Sequence, residues 1–226
     1  MFIGHFGLGL GAKRSAPTVS LGTLFIACQF ADLLWPVLVL LGYERLEVHP
    51  GPPNLTLTFV SYPYSHSLVA LCAWGAAFAA AYTAIDRRRI GAAATIALLV
   101  VSHWALDYVT HVPDLPLTLN GPARVGLGLW NSVPGTLVVE GIVFGIGLVL
   151  YLRATTPKDR VGSIGLWSLV GFLLVVHIAS TFGPPPPTAA AVAWSAQAMW
   201  LLVAWGYWVD KHRQPHATRR TATAQR

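Results

Sequence analysis

Six stretches of about twenty mostly apolar residues constrain this chain more than any other feature, because each is long enough to cross a bilayer as a helix. They run over 18–41, 65–85, 90–110, 134–152, 163–183 and 188–209. None alternates with period two, so helices are expected rather than barrel strands. Breakers fall between them: the run Gly183-Pro184-Pro185-Pro186-Pro187 cannot continue a helix, and Pro113 and Pro116 end the third stretch. Only 11% of the residues are charged, against about 25% in soluble domains, and the mean hydropathy is +0.57. An ordinary soluble domain, a disordered chain and a disulfide scaffold are thereby excluded. The fold class expected is an all-α polytopic membrane helix bundle: six transmembrane helices plus a short N-terminal helix, re-entrant in form. Residues 1–210 form one transmembrane domain, and 211–226 read as a basic, disordered cytoplasmic tail.

Charge placement supplies an orientation. Lys13, Arg14, the triplet Arg87-Arg88-Arg89, Arg153, Lys158, Arg160 and five cations from Lys211 onward share one side of an alternating six-span chain. That side carries thirteen cations and the other only Arg45 and Arg124. The positive-inside bias then puts both termini in the cytoplasm and turns the long loops 42–64 and 111–133 outward. The same clustering argues against a nucleic-acid partner, despite a net charge of +6 and a pI near 9.7. Lys13 and Arg14 precede an apolar run as in a signal peptide. No small-x-small cleavage site follows, however, and Asp32 interrupts the run, so it reads as a retained span. Cys28 and Cys72 lie in apolar runs and say little about redox compartment. No internal repeat stands out, so an inverted-repeat transporter is not supported.

Ionisable side chains within spans cost at least about 2.5–3.5 kcal/mol near the bilayer centre and are functional candidates for that reason. They are Asp32, His66, His103, Asp107, Glu140 and His177. At 1.5 Å per residue, Asp32 lies about 15 Å below the outer end of its span, Glu140 about 9 Å, and His103 and Asp107 about 5–10 Å. His66 opens its span at the outer surface. All fall in the outer half, which scattered structural polar residues would not select. His103, Asp107 and His111, spaced i, i+4 and i+8, project from one helical stripe. His103 and Asp107 reach one ion, while His111 suits a second ion bridged by Asp107 or a substrate group. Imidazole and carboxylate donors suit zinc, manganese or iron. Plainer readings stand beside these. A His–Asp pair four apart can be a local hydrogen bond, Glu140 a neutral acid donating to a carbonyl, and His177 a satisfied interhelical histidine. The glycine-rich segment 1–12 is too short to span and would carry His5 up toward Asp32 as a re-entrant helix.

The order Gly4-His5, then Asp32 in Phe30-Ala31-Asp32-Leu33-Leu34, then Tyr64-Ser65-His66-Ser67, then Ser102-His103-Trp104-Ala105-Leu106-Asp107 resembles the membrane-bound putative metal-dependent hydrolase family. That pattern is in turn distantly similar to zinc-dependent phospholipase C. The resemblance covers residues 4–140. It implies that Asp32, His66, His103 and Asp107 surround one metal, that His5 joins Asp107 at another, and that His111 and Glu140 mark a third position. Leu34 and Trp35 stand where the family has a further acid and histidine, and Thr136 stands where the phospholipase pattern has a histidine. One or two divalent ions, zinc first, are therefore expected. The function expected is hydrolysis of an ester or phosphoester of an amphiphilic or lipid-linked substrate at the outer leaflet, with Asp32 as general base. A transporter or proton relay, and a noncatalytic metal-stabilised scaffold, are the alternatives.

Overall fold

The computed structural model describes residues 1–51, 55–85 and 89–216. Its architecture is an all-α polytopic bundle. Among the described residues, five helices are each long and apolar enough to cross a membrane: α5 (Leu68–Ile85), α6 (Ile90–Thr110), α7 (Val133–Ala154), α8 (Arg160–Phe182) and the stretch Ala189–Lys211. That last stretch is made of α9 (Ala189–Ala196) and α10 (Met199–Lys211). A sixth crossing is formed if α2 (Leu21–Cys28) and α3 (Phe30–Leu40) count as one span bent by 58°. Large apolar side chains cover the outside, with Leu98 70%, Ile164 66% and Leu201 71% exposed. Such a surface is stable only against hydrocarbon. The chain is an integral membrane protein.

At the centre lies α1 (Ile3–Ala12), in which Ile3 through Gly7, Gly9 and Leu10 are all buried. It packs chiefly on α7 and also on α2 and α6. The glycines that break its propensity make this approach possible. A Cβ on Gly7 would sit 2.7 Å from the Phe144 Cα, and one on Gly147 would collide with the Gly7 backbone. Small residues four apart give the closest backbone contact between membrane helices. Phe6, Phe25, Leu71, Val100 and Phe144 fill the surrounding core.

Capping fixes several entries. Ser20, Ser132, Asp159 and Thr188 each accept a backbone N–H three residues on. The first span departs from a straight helix at Gln29, whose backbone (φ −107°, ψ 9°) is not helical.

The two ends of the bundle differ. One carries a hairpin of β1 (Arg45–Val48) and β2 (Leu57–Ser61), the single turn α4 (Pro63–His66) and a short pair of β3 (Leu115–Pro116) with β4 (Arg124–Val125). Phe59 pairs with the buried Leu46, and its ring lies 5.5 Å from Trp35, 5.1 Å from Tyr62 and 5.1 Å from His111. At the other end β5 (Thr155–Pro157) pairs with β6 (Arg213–Pro215), and Arg213 is buried. The first residues of the segment read as a disordered tail are therefore ordered, and 217–226 lie outside the described residues.

Candidate metal centre

Asp107 lies one turn from the end of α6, facing inward, with its side chain 2% exposed. His103, one turn earlier on the same stripe, places Nε2 3.1 Å from Asp107 Oδ2. From α4 comes His66, with Nε2 3.8 Å from Asp107 Oδ2 and 3.4 Å from Asp32 Oδ1. Asp32, just past the bend between α2 and α3, sits 3.7 Å from His103 Nε2. Four donors held about 2.1 Å from a tetrahedral ion stand about 3.4 Å apart. The four distances bracket that value. Asp32, His66 and His103 form one group whose donor atoms all lie within 4.8 Å of one another, and His5, His103 and Asp107 form a second.

His5, carried in by α1, has Nε2 3.1 Å from Asp107 Oδ1, and the Met1 nitrogen lies 2.6 Å from that same oxygen. The His5 and His103 rings stack at 3.7 Å. His111 caps α6, where the chain has left the helix, and its Nε2 is 3.9 Å from Asp107 Oδ2. Glu140, on α7, accepts the backbone N–H groups of Phe2 and Gly4 at 2.8 and 3.2 Å. The structure thus gathers His5, His66, His103 and His111 around Asp107, with Asp32 joined through His66 and His103 and Glu140 held at the start of α1.

The outer ring of contacts decides what the imidazoles can do. His103 Nδ1 lies 2.8 Å from the Cys28 carbonyl, which can only accept, so Nδ1 carries the hydrogen. The break at Gln29 is what exposes that carbonyl. His111 Nδ1 lies 2.8 Å from Asp114 Oδ1, again an acceptor, which also takes the Tyr62 hydroxyl at 2.9 Å. Ser65 donates its hydroxyl to Glu44 Oε2 at 2.7 Å, which leaves Oγ to accept from His66 Nδ1 at 2.7 Å. Glu44 also accepts the N–H groups of Tyr64 and Ser65. Outside the spans, burial pushes the Glu44 carboxyl above its usual range, against the pull of its Ser65 hydrogen bonds. Burial likewise pushes the Tyr62 phenol up, with Asp114 adding to the rise.

A neutral imidazole protonated at Nδ1 presents a bare lone pair at Nε2. Three such lone pairs point at carboxylate oxygens, and His103 Nε2, fully buried, has no hydrogen-bond partner. Lone pairs facing carboxylates are mutually repulsive unless a proton or a metal cation lies between them. Histidines whose second nitrogen is held by a carbonyl, carboxylate or hydroxyl are the usual companions of a metal ion. The donor set fits a divalent ion.

None of Glu44, Asp114 or the Cys28 carbonyl stands out as a site residue in the sequence. The only local signals were the i, i+3 spacing of His111 and Asp114 and the Ser65–His66 adjacency. His177 departs from the sequence reading, because its Nε2 is buried without a partner rather than satisfied between helices. The cluster opens into a cavity of about 870 Å³ whose wall includes Asp32, His66, Asp107, His111, Glu140 and His177.

Fold and site together define an integral membrane protein with a buried cluster of histidines and carboxylates. Among known proteins, the chain is similar to Protein RarD of Salmonella typhimurium (strain LT2), at 26% identity over 193 residues. The match covers 81% of this chain, which spans 58% of that relative's length. No family model matches the chain. No solved structure matches it.

Proposed function

We propose that the chain is an integral-membrane, metal-dependent hydrolase that cleaves an ester or phosphoester of a lipid-like substrate at the outer leaflet, with both termini in the cytoplasm. The observation that carries this reading is the convergence of three Nδ1-anchored histidines on Asp107 and Asp32. Asp32, His66, His103 and Asp107 would hold one divalent ion, zinc being the first candidate. His5 with Asp107, or His111 with Glu140, would hold a second. When bound, such an ion supplies a Lewis acid and an acidified water.

The chain's own residues do the rest. Asp32, at 25% side-chain exposure, is more open to the cavity than Asp107 at 2%. Its carboxylate is the one placed to accept a proton during attack. Asp114, the Cys28 carbonyl and the Glu44–Ser65 pair keep three imidazoles in the tautomer that leaves Nε2 free. The aromatic group of Phe59, on β2, with Tyr62 and Trp130 packs around His111 and fixes its ring beside the cavity. The order of polar motifs, similar to that of the membrane-bound putative metal-dependent hydrolases, supports the same reading.

A transporter or proton relay is the second reading, and the likeness to Protein RarD is the observation that favours it. Purified protein separates the two. Zinc-dependent turnover on a panel of carboxylic and phosphoric esters, abolished by chelator and by His103→Ala, is expected. Proton or solute flux in proteoliposomes without turnover of any ester would overturn the hydrolase reading. Bound metal with neither turnover nor flux would leave a scaffold.

A further inference from the structure

The 870 Å³ cavity has two parts of opposite character, and the metal cluster uses only one. Beyond the polar end it continues between α8 and α10, lined by Phe172, Val176, Ala179, Met199, Leu202 and Trp205. The helices explain the gap. Toward the other end of the bundle α8 packs on α10, whereas α9 packs on α3, so α8 and the α9 end of the last span diverge. Phe172, Ala179, Ser195, Ala198 and Leu201 stand at the mouth of this opening and are exposed. All lie within stretches long and apolar enough to cross the membrane, which puts this mouth on the lipid-facing side of the helices, while Thr56, Leu57, Pro184 and Pro186 border the same cavity outside them. From Ser180 to Phe172 the arm extends about 12 Å along α8. A cavity this size is within the range of about 300–1,000 Å³ that holds small-molecule ligands.

A second observation lies at the neck between the two parts. His177 is 95% buried and lines the cavity, and its Nε2 meets no protein partner. Its ring is steadied by Phe2 at 6.4 Å, and its carbonyl accepts the hydroxyls of Ser180 and Thr181 at 2.9 Å. An unpartnered buried imidazole costs free energy unless a ligand meets it. At this neck the ligand atom would be an oxygen where a polar head joins an apolar chain.

We infer that the α8–α9 opening is a lateral portal through which a bilayer lipid lays one acyl or prenyl chain between α8 and α10, with His177 binding an ester or phosphoryl oxygen of its head. The inference rests on reading the histidine–carboxylate cluster as the hydrolytic site, and it names the substrate as one drawn from the membrane rather than from water.

The test is photolabelling of the full chain in nanodiscs, in chelator, with a phospholipid bearing a diazirine at the end of one acyl chain. Labelling is expected to be saturable and concentrated on residues 172–180 and 199–205. Ala198→Trp and Ala179→Trp, which fill the arm from opposite walls, should each lower it about tenfold, equivalent to about 1.4 kcal/mol. His177→Leu should weaken its saturation by a similar factor, while metal content, measured separately on protein purified in zinc, stays unchanged. Labelling spread evenly over lipid-facing positions such as Leu98 and Ile142, or unmoved by both tryptophan variants, overturns the portal. Saturation unmoved by His177→Leu removes the histidine from the binding site. Because the assay runs without metal, the outcomes separate. Even labelling together with zinc-dependent turnover of a water-soluble phosphodiester sinks the portal and spares the hydrolase. Focused labelling with no ester ever cleaved does the reverse.

Discussion

At one end of the bundle Lys13 Nζ, 3% exposed, meets the Val19 carbonyl at 2.7 Å and both oxygens of Asp210 at 2.7 and 3.0 Å. Beside it Arg213 donates to the Thr155 hydroxyl and carbonyl and to the Gly162 carbonyl, with its guanidinium 5.4 Å from the centre of the Tyr151 ring. At the opposite end Asp32, Asp107 and Glu140 are met by imidazoles, by backbone N–H groups and by the Met1 nitrogen, and His5 Nδ1 and His103 Nε2 have no partner. Both ends bury charge; at the first Lys13 and Arg213 both meet partners, although the buried Tyr151 hydroxyl beside them has none, whereas at the second it is imidazole nitrogens beside carboxylates that stand bare. Paired charge of this kind holds helices in register, whereas acids and bare imidazoles facing one another define a place for something the chain does not itself provide. The asymmetry, more than any single distance, argues for a ligand.

Breaking the histidine–carboxylate end should have the largest effect. Asp107→Asn removes the carboxylate on which His5, His66, His103 and His111 converge. Its loss of zinc affinity by calorimetry should exceed the ~10–100-fold typical of outer-ring partners. Near-native affinity in that variant would mean the ion, if any, sits elsewhere. Glu44→Gln and Asp114→Asn should fall within the ~10–100-fold range, since each loosens one imidazole without removing a donor. No change in either would show that these contacts serve packing alone.

The Lys13 end should answer differently. Lys13→Met leaves Asp210 facing a buried environment and should lower unfolding stability in detergent by about 2 kcal/mol, less than for a fully buried pair because Asp210 is partly exposed. Metal content should not move. Metal loss on this substitution would mean the two ends are coupled.

The smallest effect belongs to Asp159, whose carboxyl is held below its ordinary value by His212 and by the Gly162 N–H. A depressed carboxyl stabilises the fold above its unfolded value and ceases to do so as pH falls through the folded one. Asp159→Asn should lower the melting temperature slightly at pH 7, and the difference should close in acid. A gap that widens in acid would contradict that assignment.

How much of this was legible in the chain follows from the range of each interaction. Spans are written locally, in runs of Leu, Val and Ala, and the boundaries of α6 coincide with the expected 90–110. The polar residues of the cluster were visible because charge is expensive in lipid, so each stood out against its own segment. The bend at Gln29 was not visible, because no glycine or proline marks it, and with it went the Cys28 carbonyl that orients His103. Glu44 and Asp114 looked like ordinary loop acids, since only the fold shows that Ser65 and His111 come to meet them. The setting of Phe59 was not visible for a similar reason: an apolar loop residue beside a membrane has two apolar environments to choose from, and strand pairing with Leu46 decides. His177 was read as satisfied because a lone histidine on a helix usually is, and the gap between α8 and α9 is a property of packing alone.

Metal analysis of the purified wild-type chain alongside His103→Ala bears most directly on the claim that the buried cluster is built around a cation. The account predicts one or two ions per wild-type chain and a marked deficit in the variant, both inserting normally. A wild-type chain that holds no ion after purification in zinc, or a variant that keeps its full complement, would contradict it.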